Sequence, residues 1–289
     1  MEVELARLRA LAAAVDLGSL EAAARALHLT PSAVSQRIQA LEAQAGRVLL
    51  VRSRPVRPSE AGTELLRLAR QIDALVEDAA GRLDGEGPAR IAIAVNADSL
   101  ATWVLPALAP LAGRTAFVFV RDDQEHTHEF LRSGEVMAAI GSEPRPVQGC
   151  SSTLLGSMRY RPYASPAFAR RWFPEGAGER ALAAAPIVEF NRKDALQRRF
   201  LAERAPGAAP PRHQVPGSVD FVEAVRLGYG WGFIPELQAE TSDGGLVPID
   251  GTTIEVPLHW QQWRIAPPAL DRAARAVREA AAEVLHREG

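Results

Sequence analysis

Between residues 22 and 59 stand six arginines (Arg25, Arg37, Arg47, Arg52, Arg54 and Arg57) and a single acid, Glu42, so the segment carries a net +5 in a chain of formal charge -2. A cluster of that sign suits a polyanion, because nucleic-acid affinity draws on neutralised phosphates. Thr30 followed by Pro31 reads as a helix cap with proline at the first helical position, where its missing N–H costs nothing. With Val34, Ile38 and Leu41 turned to a core, steps of about 100° per residue put Ser32, Gln36 and Gln39 on the opposite face, flanked by Ser35 and Arg37. That face is short, polar and free of acids. Gln36 can donate and accept at once, which suits an adenine edge, while Arg37, Arg52, Arg54 and Arg57 suit phosphates or the minor groove. Thr30, Ser32, Ser35, Gln36, Arg37, Gln39, Arg52, Arg54 and Arg57 are therefore the candidate DNA contacts. The alternative is a small helical protein-interaction domain with a solvated arginine-rich wing, and the local charge weighs against it.

Other reactive groupings are weak. Glu125, His126, Thr127, His128 and Glu129 contain metal-ligating types, but two residues on a helix diverge by about 200°, so His126 and His128 do not converge on one ion. No metal site is expected. GYGWGF leads into IPE rather than a phosphate-cradling helix, and neither a P-loop nor G-x-S-x-G occurs, so the chain does not read as an enzyme. Cys150, the single cysteine, cannot form a disulfide within the chain but remains open to modification. Its solitary state and an acidic start without a basic n-region fit a reducing cytoplasm. No run of about 18 uncharged apolar residues exists, so no membrane span is expected.

The elements that must hold these residues fall into three parts. At 289 residues, 47% hydrophobic and 24% charged, the chain is long enough for several packed cores. Leu8, Leu11, Ala12 and Val15 form the apolar stripe of a first helix ended by Gly18, and Ser19 caps a second that buries Leu20, Ala24 and Leu27. The third helix, from Pro31 to about Gly46, is followed by VLLVRSRPVRP, a short hairpin wing. From Ser59 to about Leu83 a long helix carries Leu65, Leu68, Ile72, Leu75 and Ala79 at steps of 3 and 4, the seam of a coiled coil. Leu65, Leu68, Ile72 and Leu75 are the candidate dimer contacts; the alternative is a helix packed on its own domain. DGEGP forms a linker. Strands and helices then alternate to the end of the chain, giving two α/β lobes with a cleft between them. Residues 99–112, SLATWVLPALAPLA, read as one helix after the strand ARIAIAVNAD.

The stretch AAARALHLTPSAVSQRIQALEAQAGRVLLVRSRPVRPSEAG resembles the DNA-binding domain of LysR-type transcriptional regulators, and the order of elements is similar along the whole chain. AVNADSLATWVLPALAP (94–110) resembles, more narrowly, the ArgP/LysG branch of that family, which responds to lysine and arginine. Many members have Arg where Gln36 stands, so their base contact at that position is not carried over. The resemblance implies a fold of α/β class, with an N-terminal all-α winged helix-turn-helix over 1–58, a linker and dimerisation helix over 59–87, and an effector-binding domain over 88–289. The last would be two-lobed and similar to periplasmic binding proteins, with lobe I at about 88–160 plus 266–289 and lobe II at about 161–265. It also implies double-stranded DNA carrying an interrupted inverted repeat, RNA polymerase, and further copies of the chain in a homodimer or homotetramer as partners. The expected place is the cytoplasm, at the nucleoid.

An effector pocket for L-lysine or L-arginine, the ligand implied by that branch, needs an anion site and desolvated carboxylates; no other cofactor is expected. Ser99 and Thr102 open the first helix after a strand, where backbone N–H groups favour an α-carboxylate, and Ser218 in GSVDF lends a second hydroxyl. Asp98, Asp122, Asp123, Asp194 and Asp220 fall at expected strand ends or adjoining loops and are the candidate cation partners, with Asp123 foremost. Each of these has an alternative as a helix cap. Trp103 and Trp231 either cover the ligand or belong to the core. The competing functional readings are a regulator of the same type with a different small-molecule effector and, more remotely, a solute-binding or enzymatic α/β protein with an accessory helical domain.

Overall fold

The structure is a computed structural model that describes residues 4–51, 53–84, 88–121, 127–191, 195–240 and 244–286. Arg52, Asp122, Asp123 and Asp194, named above as candidate contacts, lie outside the described residues.

The N-terminal unit is built from α1 (Leu5–Asp16), α2 (Leu20–Ala26), α3 (Pro31–Ala45) and an antiparallel wing of β1 (Leu50–Val51) and β2 (Arg57–Pro58). Ser19 Oγ accepts the Ala22 N–H at 3.1 Å and Thr30 Oγ1 the Ala33 N–H at 3.2 Å, so both expected caps form. Leu8, Leu11, Val34, Ile38, Leu41 and Leu49 are buried in one small core. The wing is held by Glu42, whose Oε1 accepts the N–H of Leu49 at 2.8 Å and of Leu50 at 3.3 Å. The only acid of the arginine-rich segment is thus turned onto backbone, away from the outer face of α3.

The linker helix α4 (Glu60–Asp84) has two apolar faces rather than one. Leu66 and Ala69 are buried against the N-terminal core, and the face begins at Gly62, where a Cβ would lie 2.0 Å from the Leu49 carbonyl oxygen. The second stripe is the seam read from the sequence: Leu65 and Ile72 border that same core, Leu75 is half-buried and Leu68 is 37% exposed. The helix therefore packs on its own chain through one side and leaves much of the seam open on the other.

The C-terminal unit carries a seven-stranded sheet in which β10 (Val247–Pro248), β6 (Cys150–Ala164), β11 (Ile254–Trp263), β5 (Ala138–Gly141), β3 (Ala89–Val95) and β4 (Thr115–Arg121) follow one another, with β9 (Gly232–Pro235) also paired to β6. Strands β3 (Ala89–Val95), β4 (Thr115–Arg121) and β5 (Ala138–Gly141) are parallel and form lobe I with α7 (Thr127–Ser133) and the last helix. Lobe II holds α8 (Pro166–Trp172), α9 (Glu179–Ala184), the parallel pair β7 (Ile187–Glu189) and β8 (Arg212–Gln214), α10 (Leu196–Arg204), and α11 (Ser218–Arg226). It also holds β9 (Gly232–Pro235), α12 (Glu236–Glu240) and β10 (Val247–Pro248). Two long antiparallel strands, β6 (Cys150–Ala164) and β11 (Ile254–Trp263), run through both lobes, and α13 (Pro268–Val284) returns to lobe I. The expected lobe limit at 160/161 falls inside β6, so the lobes share a ladder instead of being joined by loops. That ladder is irregular where the lobes meet: its register shifts between Leu258 and His259, opposite Gly156. Gly156 has φ +134°, and a Cβ there would lie 2.9 Å from both Leu285 Cβ and the His286 carbonyl oxygen, so only glycine fits the bend.

The close approach of Gly62 to the wing gives a direct check. Gly62→Ala forces the wing off α4 and is expected to cost about 1–3 kcal/mol, lowering the midpoint of thermal unfolding by several degrees. Gly113→Ala, which meets nothing within 4 Å, should leave it unchanged.

Candidate nucleic-acid interface and ligand cleft

On α3 the residues opposite Val34, Ile38 and Leu41 stand as the 3.6-residue period requires. Ser32, Gln36 and Gln39 are exposed, and Ser35 and Arg37 lie half-exposed at the flanks. Thr30 is exposed as well, but its hydroxyl is engaged in the cap and lies 2.9 Å from Ser32 Oγ. Arg54 and Arg57 project from the wing, and among the described residues neither they nor Arg37 make an ion pair. A polar helix face beside free guanidinium groups, with Glu42 turned away, matches what a major groove and its flanking phosphates offer.

The second site is a cavity of about 510 Å³ between the lobes. It opens after β3, where a helical run begins with α5 (Ala97–Ser99), widens into a π-turn (Leu100–Val104), and continues as α6 (Leu105–Leu108) and a short 3-10 turn (Ala109–Leu111). The sequence suggests one regular helix here; Pro106 prevents it, having no N–H to donate and a ring that would strike the Thr102 carbonyl in a regular turn. Asp98, at the start of this run, reaches across the cleft. Its Oδ1 accepts from Ser218 Oγ of lobe II at 2.6 Å and its Oδ2 from the Tyr160 hydroxyl on β6 at 2.8 Å. Gln238 of α12 braces Ser218, donating from Nε2 to its carbonyl at 3.3 Å, with Oε1 3.1 Å from the hydroxyl.

Asp98 and Ser218 are thus the two expected effector residues that the structure brings together on the cavity wall. Ser99 is fully buried with an unpartnered Oγ, and Thr102 Oγ1 donates to the Asp98 carbonyl at 2.7 Å; neither lines the cavity. Asp220 is exposed, outside the cavity, with its carboxylate folded against Gly217. Trp103 and Trp231 are buried in the main core and do not face the cleft, which settles them as packing residues. Sequence reasoning missed Asn96, Tyr160, Arg199, Gln238 and Glu255, which also line the cavity with the aromatic wall of Phe190, Phe221 and Phe233. Asn96 had a local signal, standing two residues before Asp98 at the end of a strand; the others are delivered by distant elements. Its Oδ1 is buried without a partner, a state that costs about 1–3 kcal/mol until a donor arrives.

Cys150 lies buried where α4, Leu131 and Trp263 meet; burial pushes its thiol up, against the lowering influence of Arg67 and Arg264, and so disfavours the reactive thiolate. Among the described residues no group of three His, Cys, Asp or Glu could hold a metal ion, and no helix is long and apolar enough to cross a membrane.

A winged helix-turn-helix carried on a long helix and joined to a two-lobed ligand cleft defines a one-component regulator, in which a DNA reader and a small-molecule sensor share one chain. Residues 5–63 match the family described as "Bacterial regulatory helix-turn-helix protein, lysR family", and residues 84–286 the "LysR substrate binding domain". The chain belongs to the LysR family and is a DNA-binding transcriptional regulator of that type. It is 43% identical over 281 residues to the HTH-type transcriptional regulator LysG of Mycobacterium tuberculosis, covering 95% of this chain and 92% of the relative. The crystal structure of ArgP from Mycobacterium tuberculosis superposes with a TM-score of 0.91 at 42% identity, covering 100% of both chains. Full-length LysG from Corynebacterium glutamicum with bound effector Arg gives a TM-score of 0.84 at 36% identity, covering 98% of this chain and 100% of that one.

The two kinds of α3 and wing residue should separate in a salt series of quantitative gel shifts. Gln36→Ala is expected to lose about 1–3 kcal/mol of discrimination between operator and random duplex, whereas Arg54→Ala weakens binding to both alike and reduces the salt slope by about one. Wild-type discrimination and slope in both variants would refute the groove assignment.

Proposed function

We propose that the cleft senses a basic amino acid, L-lysine or L-arginine, and that the regulator controls genes of basic amino-acid export or metabolism. The observation that carries this reading is the Asp98 carboxylate, which spans the cleft from lobe I to Ser218 of lobe II and lies where a cationic ligand can exchange for its hydroxyl donors. Relatives named for lysine export and a similar LysG structure with bound Arg support it. The effector is the only small molecule required, and the chain acts without catalysis.

In this reading 1–58 reads DNA, 59–87 dimerises and 88–289 senses. Thr30, Ser32, Ser35, Gln36, Arg37, Gln39, Arg52, Arg54 and Arg57 face an interrupted inverted repeat. The open seam at Leu65, Leu68, Ile72 and Leu75 pairs with a second copy, in a homodimer or a homotetramer. RNA polymerase is the downstream partner and the cytoplasmic nucleoid the setting. Ligand binding shifts the balance between cleft geometries, and with it how the paired reading heads bend their site.

Calorimetry on the intact protein checks the effector. Lysine or arginine should bind, and Asp98→Asn should weaken that binding by about tenfold or more, as expected for a lost charge-assisted contact. Absence of heat with lysine, arginine and histidine rejects the basic-amino-acid reading, while a full lysine response in Asp98→Asn rejects the role of that carboxylate. Leu68→Glu should move the sedimentation coefficient toward that of a monomer; an unchanged oligomer excludes the seam.

A further inference from the structure

We infer that Glu42, the one acid of the arginine-rich segment, is a positioning residue for DNA binding: its carboxylate sets the angle of the wing against α3, so that Arg54 and Arg57 reach the phosphates beside the groove that α3 enters. The assignment rests on the reading in which α3 and the wing grip one duplex, and deepens it.

The wing cannot hold that angle by itself. Its ladder is two residue pairs long, Leu50 with Pro58 and Val51 with Arg57, and Pro58 has no N–H to give it. A two-stranded ribbon of that size is marginal in water. Leu49 and Leu50 root it in the N-terminal core, but apolar burial is non-directional and fixes depth rather than angle. A cavity of about 40 Å³ also lies between the two parts, lined by Ile38, Gln39 and Glu42 of α3 and by Leu50 and Val56 of the wing. Direction therefore comes from hydrogen bonds. Two of the wing's anchors lead elsewhere: the Val56 N–H donates to the Gly18 carbonyl beyond α1 at 3.0 Å, and Ser59 Oγ, just ahead of α4, to the Val48 carbonyl at 2.6 Å. Among the described residues, the bonds that tie the wing to α3 are those from the Leu49 and Leu50 N–H groups to Glu42 Oε1. Both are charge-assisted. Charge alone argues the other way, since an acid at a DNA-reading surface repels phosphates and lowers affinity. The two roles thus predict opposite signs.

Glu42→Asp separates them, because it keeps the charge and withdraws the carboxylate by one methylene. In salt-series gel shifts on the full chain, Glu42→Asp should bind the operator about threefold or more weakly, with the salt slope reduced by about one, as if an arginine had been lost from a chain of unchanged charge. Glu42→Gln, which keeps the reach and an acceptor oxygen, should retain the wild-type slope. Adding Arg54→Ala to Glu42→Asp should lower the slope no further, since one residue acts through the other. Wild-type affinity and slope in Glu42→Asp overturn the inference, also where the variant melts at a lower temperature, for the carboxylate then serves the fold alone. A slope in Glu42→Gln as low as that of Glu42→Asp, or a full further drop on adding Arg54→Ala, overturns it too. An unchanged slope in Arg54→Ala alone takes the wing off the DNA, and this inference falls with that reading.

Discussion

The antiparallel pairing of β6 with β11 is the constraint on which the sensor depends. Register runs from Ile254 with Tyr160 in lobe II to Trp263 with Cys150 in lobe I, so neither lobe completes its sheet without strands that also belong to the other. The lobes cannot separate freely; they can only bend about the irregularity at Gly156 and Leu258. The same ladder carries Tyr160 to the cleft, where its hydroxyl meets Asp98. The backbone that permits lobe motion and a side chain that holds the Asp98 carboxylate are thus a few residues apart on one strand.

The helical reader was legible because its determinants are local. Caps at Ser19 and Thr30, the 3.6-residue spacing of Val34, Ile38 and Leu41, and the prolines of the wing each act within a few residues. Of the long crossover strand only the end, YRPYAS, was legible as strand. CSSTLLGSMR has no alternating apolar pattern, and the residues that make it a strand are its partners on β11, about a hundred positions away. The helix after β3 was read as regular because its apolar period is regular; Pro106 overrides the period through one missing hydrogen bond.

Legibility of the cleft follows the same rule. Asp98 and Ser218 stand near helix starts, where sequence reasoning looks for ligand contacts. Their mutual bond joins positions 120 apart, and Tyr160 comes from 62 residues beyond Asp98, so no local pattern announces the cluster. Arg199 lies on a helix whose sequence resembles any solvated arginine-rich face, so nothing local marks it as a residue of the cavity wall. The seam on α4 was read correctly as an apolar stripe, but a second stripe through Gly62, Leu66 and Ala69 was hidden, because glycine and alanine signal packing only through what approaches them.

The fastenings of α4 sort the parts of one subunit into those that travel together and those that do not. Arg70 bonds the Asp16 carboxylate at the end of α1 and, at 2.9 Å, the Ser133 carbonyl at the end of α7. Arg9 pairs with Asp73 at 2.8 Å, and Arg67 bonds the Gln148 carbonyl ahead of β6. Reader, linker and lobe I are thereby stitched into one lever, and lobe II hangs from it on the shared strands. When such a cleft narrows, distances inside the lever stay as they are; what changes is the outer contour of the hinged half. Among the described residues, a change in cleft geometry is therefore displayed on the outer contour of lobe II rather than between the reader and lobe I.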